Sequence, residues 1–325
     1  MFGKEIIAMG ENAQKIGKKL ESVGFELLSM FNWKKKMGDK EIKCTRSTHK
    51  NSKGASKRTH GVDLYMEYKD PYLGGVQGVF IECKNRGWAS ISKSEIQNWV
   101  NEEINLIDCA RNNSELQEFY ADGADKNCAL IIINCNDGKY DHKKFEQYLS
   151  ELEIPNKKIP YKIFIAGNKT LEKWDAIDCM IKTDYLNGIN VLYPSINNSQ
   201  PISENYWSLN HLFAKYIFCE TTEKEELRNG DTRTNKILVV FCFDCITSES
   251  IQYLWSMCRT FQYENRYDAY DFCFWVENQD DCNYINENFI NIISNYDNGR
   301  VDEKIIKAIK TKFLLNRKIG VVDNR

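Results

Sequence analysis

No apolar run in this chain approaches the roughly 20 residues a membrane-spanning helix needs. Its opening residues, MFGKEIIAMGENAQ, lack the apolar core of a signal peptide. Both absences set a cytoplasmic location, with no membrane partner, as the expectation. In that compartment the 12 cysteines read as reduced thiols, not as a disulfide framework. Cys128, Cys135, Cys219 and Cys273 lie inside apolar runs, where cysteine acts as a small hydrophobe. The one Cys-x-x-Cys, Cys242 to Cys245, has no second pair at zinc spacing, so no zinc is expected there. The second half also lacks a Walker loop and a G-x-G-x-x-G turn.

What the chain does have is length for about two domains and the composition of a globular protein, 42% hydrophobic and 28% charged. Its most informative stretch runs from His60 to Trp88. Val62 to Tyr68 and Val79 to Cys83 are apolar, and Asp70-Pro71-Tyr72-Leu73-Gly74-Gly75 between them is turn chemistry. This predicts a β-hairpin. If it folds about the centre of that turn, paired residue numbers sum to about 145. Asp63 then stands opposite Glu82, and Lys84 shares a face with Glu82 because side chains alternate along a strand.

Two adjacent carboxylates repel, and a divalent cation removes the repulsion. Mg²⁺ takes one or two carboxylates together with water and phosphate oxygens. The lysine beside it can hold a water or developing negative charge. That combination suits phosphodiester hydrolysis. The Glu-x-Lys triplet alone carries little information, because Glu41-Ile42-Lys43 and Glu67-Tyr68-Lys69 share it. Only Glu82-Cys83-Lys84 follows an apolar strand with an aspartate in register. Glu67-Tyr68-Lys69 is expected at a solvated turn end.

Asp63, then Glu82-x-Lys84 ending an apolar strand with a helix to follow, resembles the PD-(D/E)xK nuclease superfamily over about residues 4–167. Gly61-Val62 precedes Asp63 where the superfamily motif has proline. The resemblance implies a restriction-endonuclease-like mixed sheet flanked by helices. It implies Asp63 and Glu82 as metal ligands, the Cys83 carbonyl as a further ligand, Lys84 as the catalytic lysine, and Mg²⁺ or Mn²⁺ as cofactor. It also implies an early helix glutamate, for which Glu11 is the nearest candidate. The superfamily includes restriction enzymes, repair nucleases and effectors of bacterial defence against phage. A nuclease domain joined to a motif-poor α/β domain resembles such an effector subunit. Double-stranded DNA is the expected substrate. An RNA-cutting toxin and a non-catalytic nucleic-acid-binding or scaffold subunit stay open as alternatives.

Charge is uneven. Trp33 to His60 holds ten basic residues against two acidic, a net +8, so with −2 overall the remainder carries −10. A basic block entering the site suits a polyanion. Lys53, Lys57 and Arg58 are its candidate phosphate contacts, in the part expected to be a loop. Ser92-Lys93-Ser94-Glu95 has capping-box spacing. Ser92 and Lys93 are candidate phosphate contacts at the start of the helix it opens.

Residues 4–23 read as a helix stopped by Gly24. Cys128 to Asn134 and Tyr161 to Ala166 read as buried strands. The turn signals in Asp178 to Gln200 put the boundary between a nuclease-like domain, 1–190, and a second α/β domain, 198–325. Trp207 to Cys219 and Val301 to Leu315 read as helical. Asp244 and Glu277 end strands of the second domain, and strand-end carboxylates are more often structural than catalytic. A single nuclease site cuts one strand per binding event, so a homo-oligomer or a partner subunit is expected, with the second domain as its interface.

Overall fold

The computed structural model describes residues 20–50, 54–155, 160–194, 201–226, 230–297, 299 and 301–314. Glu11 and Lys53 lie outside them. The chain forms two compact units, which divide between Glu172 and Lys173. The sequence places the boundary later, at the turn-rich stretch 190–198. The division falls instead inside a continuous helix, where no turn signal marks it.

The first unit opens with helix α1, described over residues 20–30. Strands β1 (Lys34–Lys43), β2 (Thr59–Asp70) and β3 (Gly75–Arg86) follow, then α2 (Lys93–Ala110). After these come β4 (Asp125–Cys135), α3 (His142–Ser150) and β5 (Lys162–Ala166). The five strands make one mixed sheet in the order β1-β2-β3-β4-β5. β1, β2 and β3 pair antiparallel, whereas β3, β4 and β5 run parallel.

The apolar run of β4 is buried along both faces, as a central parallel strand must be. α2 covers one face with Ile96, Trp99, Val100, Ile104 and Ile107, a stripe at helical spacing. Its N-terminus is closed by Ser92, whose hydroxyl accepts from the Glu95 N–H. α1 lies on the opposite face. Gly24 does not stop that helix. A Cβ there would come within 3.1 Å of Ile132 and 3.6 Å of the Cys83 sulfur, so glycine lets the helix settle on the sheet.

The hairpin register carries Leu64 opposite Ile81 and Tyr65 opposite Phe80. The Asp70 carboxylate accepts from the N–H groups of Tyr72 and Leu73, and Gly74 supplies the positive φ of the turn. Glu67 is not solvated. It is buried, accepts from Tyr65 Oη and the Ala121 N–H, and pairs with Lys36 at 3.4 Å. Within the basic segment, the ten residues Lys34–Lys43 form strand β1.

The second unit begins within α4 (Asn168–Asp184) and continues through β6 (Asn190–Tyr193), β7 (Ile202–Glu204) and the short α5 (Leu209–Leu212). Then come β8 (Tyr216–Glu226), β9 (Thr232–Cys242), α6 (Ser248–Thr260), β10 (Ala269–Trp275), α7 (Gln279–Tyr296), α8 (Glu303–Ala308) and β11 (Ile309–Leu314). Its six-stranded mixed sheet has the order β11-β10-β9-β8-β6-β7. The stretch Trp207 to Cys219 is mostly non-helical and ends in β8. Val301 to Leu314 changes from helix to strand at Ile309, where the run Ile-Lys-Thr-Lys-Phe takes the edge place beside β10. The buried Asp271 holds this edge, accepting from Lys312 Nζ at 2.9 Å and Tyr185 Oη at 3.0 Å. No described helix is long and apolar enough to cross a membrane.

Candidate functional site

One step past the Leu64–Ile81 pair, the hairpin brings Asp63 and Glu82 together on the face that α2 covers. A hydrogen bond between their side chains helps raise the Glu82 carboxyl. Asp63 Oδ2 also accepts from the Cys83 N–H at 3.0 Å, which fixes the aspartate. Lys84 Nζ donates to Glu82 Oε1 across the strand's two-residue period. Both side chains are largely shielded, 16% exposed for Lys84 and 15% for Glu82.

Sequence reading missed a third carboxylate. Glu103 sits on the buried face of α2, 3% exposed, in electrostatic contact with Glu82, Lys84 and Asp63. Its Oε2 is buried and has no hydrogen-bond partner among the described residues. Burial pushes the Glu103 carboxyl well above the usual range, and the charges of Glu82 and Asp63 push it further. The only available signal was position. Glu103 lies three residues past Val100 and one before Ile104, on the edge of the apolar stripe.

Burial also raises Glu82, to about 7, with Asp63 adding to the rise and Lys84 opposing it. For Lys84, burial favours the neutral amine but is outweighed by Glu82, Asp63 and Glu103, so the ammonium is held more firmly than usual. Three carboxylates therefore converge on one ammonium, and one carboxylate oxygen has no partner. A hard divalent cation fits that donor set, supplying charge where the cluster is short of it.

The shifted carboxyl makes the metal-free protein pH-sensitive. Glu82 has an ordinary value of 4.5 and a folded value of about 7. Between these the folded state holds a proton that the unfolded state releases. Stability from this group is full below 4.5 and is lost as pH rises to about 7. Thermal melts in EDTA should show wild type losing ground to Glu82→Gln across that window. A difference between the two that does not change with pH would contradict the raised carboxyl.

The other sequence candidates stand apart from this cluster. Ser92 and Lys93 are at the far end of α2, roughly 15 Å along its axis from Glu103. There Ser92 caps the helix, and Lys93 pairs with Glu151 at 3.6 Å. Lys57 pairs with Glu102 at 3.7 Å, while Arg58 is exposed. In the second unit, Asp244 takes hydrogen bonds from Lys215 at 2.8 Å and Tyr216 at 3.1 Å, a structural role. Cys242 is buried and Cys245 is exposed.

A mixed sheet whose hairpin presents Asp63, Glu82 and Lys84 beneath a helix defines the PD-(D/E)XK nuclease class. Residues 9–170 match the family described as the GAPS4 protein PD-(D/E)XK nuclease domain, and that half of the chain belongs to it. A comparison with curated proteins finds no match.

Proposed function

We propose that this chain is a divalent-metal-dependent endonuclease, with Mg²⁺ or Mn²⁺ as cofactor and double-stranded DNA as substrate, acting in bacterial defence against phage. The observation that carries the chemistry is the convergence of Asp63, Glu82 and Glu103 on Lys84. The side chains of Asp63, Glu82 and Glu103, with the Cys83 carbonyl, would hold the ion. When bound, it would polarise the phosphodiester and acidify the attacking water. Asp63 stays oriented through the Cys83 N–H. Lys84, no longer needed to neutralise Glu82, can orient the nucleophile or stabilise charge on the scissile phosphate. The defence role rests on the family resemblance. The second unit, whose Lys312 is paired with Asp271 and Asp184 in holding its sheet edge, is assigned to assembly with a second copy or a partner subunit.

Incubating the purified chain with plasmid DNA and with RNA, with Mg²⁺ or with EDTA, tests the reading directly. Nicking or linearisation of the plasmid in Mg²⁺ alone is expected. Cleavage of RNA only would reassign the substrate, and cleavage unaffected by EDTA would remove the metal from the mechanism.

The basic segment gives a separate prediction. Lys43, Arg46, Lys50 and Arg58 are all exposed around the β1–β2 connection. Changing all four to glutamine should weaken binding about equally on unrelated DNA sequences, because phosphate contacts carry little sequence information. If all four touch phosphate, the slope of log K against log salt should flatten by about 3–4. An unchanged slope would make this a solvated face.

A further inference from the structure

A second cluster lies outside the carboxylate site. Cys44 directly follows β1, His60 is the second residue of β2, His49 lies in the connection between them, and Cys109 is in the last turn of α2. One potential ligand atom from each of the four converges, all within 4.8 Å of one another. Cys44 Sγ and Cys109 Sγ are 3.9 Å apart. His49 Nδ1 is 3.5 Å from each sulfur and 3.4 Å from His60 Nε2.

Those separations can be compared with a tetrahedron built on zinc bond lengths. Arms of about 2.3 Å to sulfur and about 2.05 Å to nitrogen put two sulfurs about 3.8 Å apart, sulfur and nitrogen about 3.5 Å, and two nitrogens about 3.35 Å. These four of the six edges agree to about 0.1 Å, and the two from His60 to the sulfurs lie within the 4.8 Å that spans the group. Hydrogen bonding alone explains the cluster poorly, since four groups that can each offer a lone pair meet at one point.

The surroundings suit a closed metal centre. His49, His60 and Cys109 are buried, at 4%, 2% and 2% exposed. The far nitrogen of His49, Nε2, faces Asp108 Oδ2 at 3.8 Å, and Tyr161 Oη donates to the other oxygen of Asp108. A carboxylate behind a ligating histidine fixes its ring orientation and raises its basicity. The backbone N–H and hydroxyl of Thr45 approach Cys109 Sγ at 3.4 and 3.5 Å, donors suited to a thiolate.

We propose that Cys44, His49, His60 and Cys109 form a structural zinc site that ties the β1–β2 connection to the end of α2. The assignment is independent of the nuclease reading. Four protein ligands leave no position open for substrate, so the ion's work is to brace. Its ties reach close to the other cluster. His60 is three residues from Asp63 on β2, and Cys109 is six residues from Glu103 on α2, about 9 Å along the helix. The same centre holds in place the connection that carries Arg46, Lys50 and Arg58.

The test is metal content of the full chain, expressed without a histidine tag and purified without chelator. Elemental analysis should find close to one zinc per chain. Asp63→Asn/Glu82→Gln should retain the ion, and Cys109→Ser should lose it. The wild-type chain produced in cobalt medium gives a readout that does not depend on any variant folding. It should show strong tetrahedral d–d bands and a thiolate-to-cobalt charge-transfer band. His49→Cys should keep the tetrahedral bands and strengthen the charge transfer. A chain without zinc, a Cys44–Cys109 disulfide in protein kept under reductant, or cobalt bands that vanish only with the carboxylate variants would overturn the site.

Discussion

On the proposed nuclease reading, Lys84→Ala will leave a folded, nucleic-acid-binding protein whose cleavage rate falls by at least about 10²–10³-fold, the usual cost of removing one preorganised charge donor. Lys84 touches Glu82 directly and feels Asp63 and Glu103, so it is a cation set among three carboxylates. Its loss removes the group that can meet developing negative charge while leaving the carboxylates to bind the ion. Metal affinity should therefore hold or rise as activity disappears. Lys84→Arg will not restore the rate, because a planar guanidinium is not a compact ammonium in a shielded site. Single-turnover cleavage beside isothermal titration of Mn²⁺ separates the two quantities. A folded Lys84→Ala protein that cuts at the wild-type rate would remove this lysine from the chemistry.

Glu103 carries the second large effect. Glu103→Gln keeps its size and helix position but removes a carboxylate whose Oε2 has no partner. Without metal the variant should be more stable than wild type at neutral pH, since glutamine needs neither the proton uptake nor the disfavoured charge that burial and two neighbouring carboxylates impose on this carboxyl. In Mg²⁺ it should cut at least about 10²-fold more slowly, with the lost rate partly recovered at high metal concentration. Opposite signs for stability and activity are the mark of a strained functional group. Were Glu103→Gln simply destabilising at every metal concentration, the residue would be part of the packing only.

The hairpin was legible because strand alternation and turn chemistry are local. Numbering alone placed Asp63 opposite Glu82, and the pairing of Leu64 with Ile81 carries the same register. The buried strand β4 and the capped helix α2 were readable for the same reason. Glu103 and the Cys44–His49–His60–Cys109 group were not. Each depends on α2 lying across β2, a tertiary relation that no spacing in the chain encodes. His60 and Cys109 are 49 positions apart in the sequence yet belong to one cluster. Gly24 misled because a glycine that stops a helix and a glycine that lets one approach a sheet look alike in sequence. The unit boundary was hidden because it falls within α4, whose helical pattern continues through it. A cut near Ser195 would leave β6 without its antiparallel partner β8 and would uncover Trp174, fully buried and bonded through Nε1 to the Leu212 carbonyl.

Strand β1 has one further consequence, for how the protein behaves in a concentrated solution. Among the described residues only one of its sides is paired, to β2. Such an edge invites a neighbouring molecule to add a strand, and natural sheets discourage this with lysines. Lys34, Lys35, Lys36 and Lys43 are exposed along it. The charges that would draw in nucleic acid are thus also placed to keep copies of this sheet from zipping together. Bound to a polyanion, that repulsion is quenched. Crowding along a polyanion would then favour edge-to-edge stacking of copies.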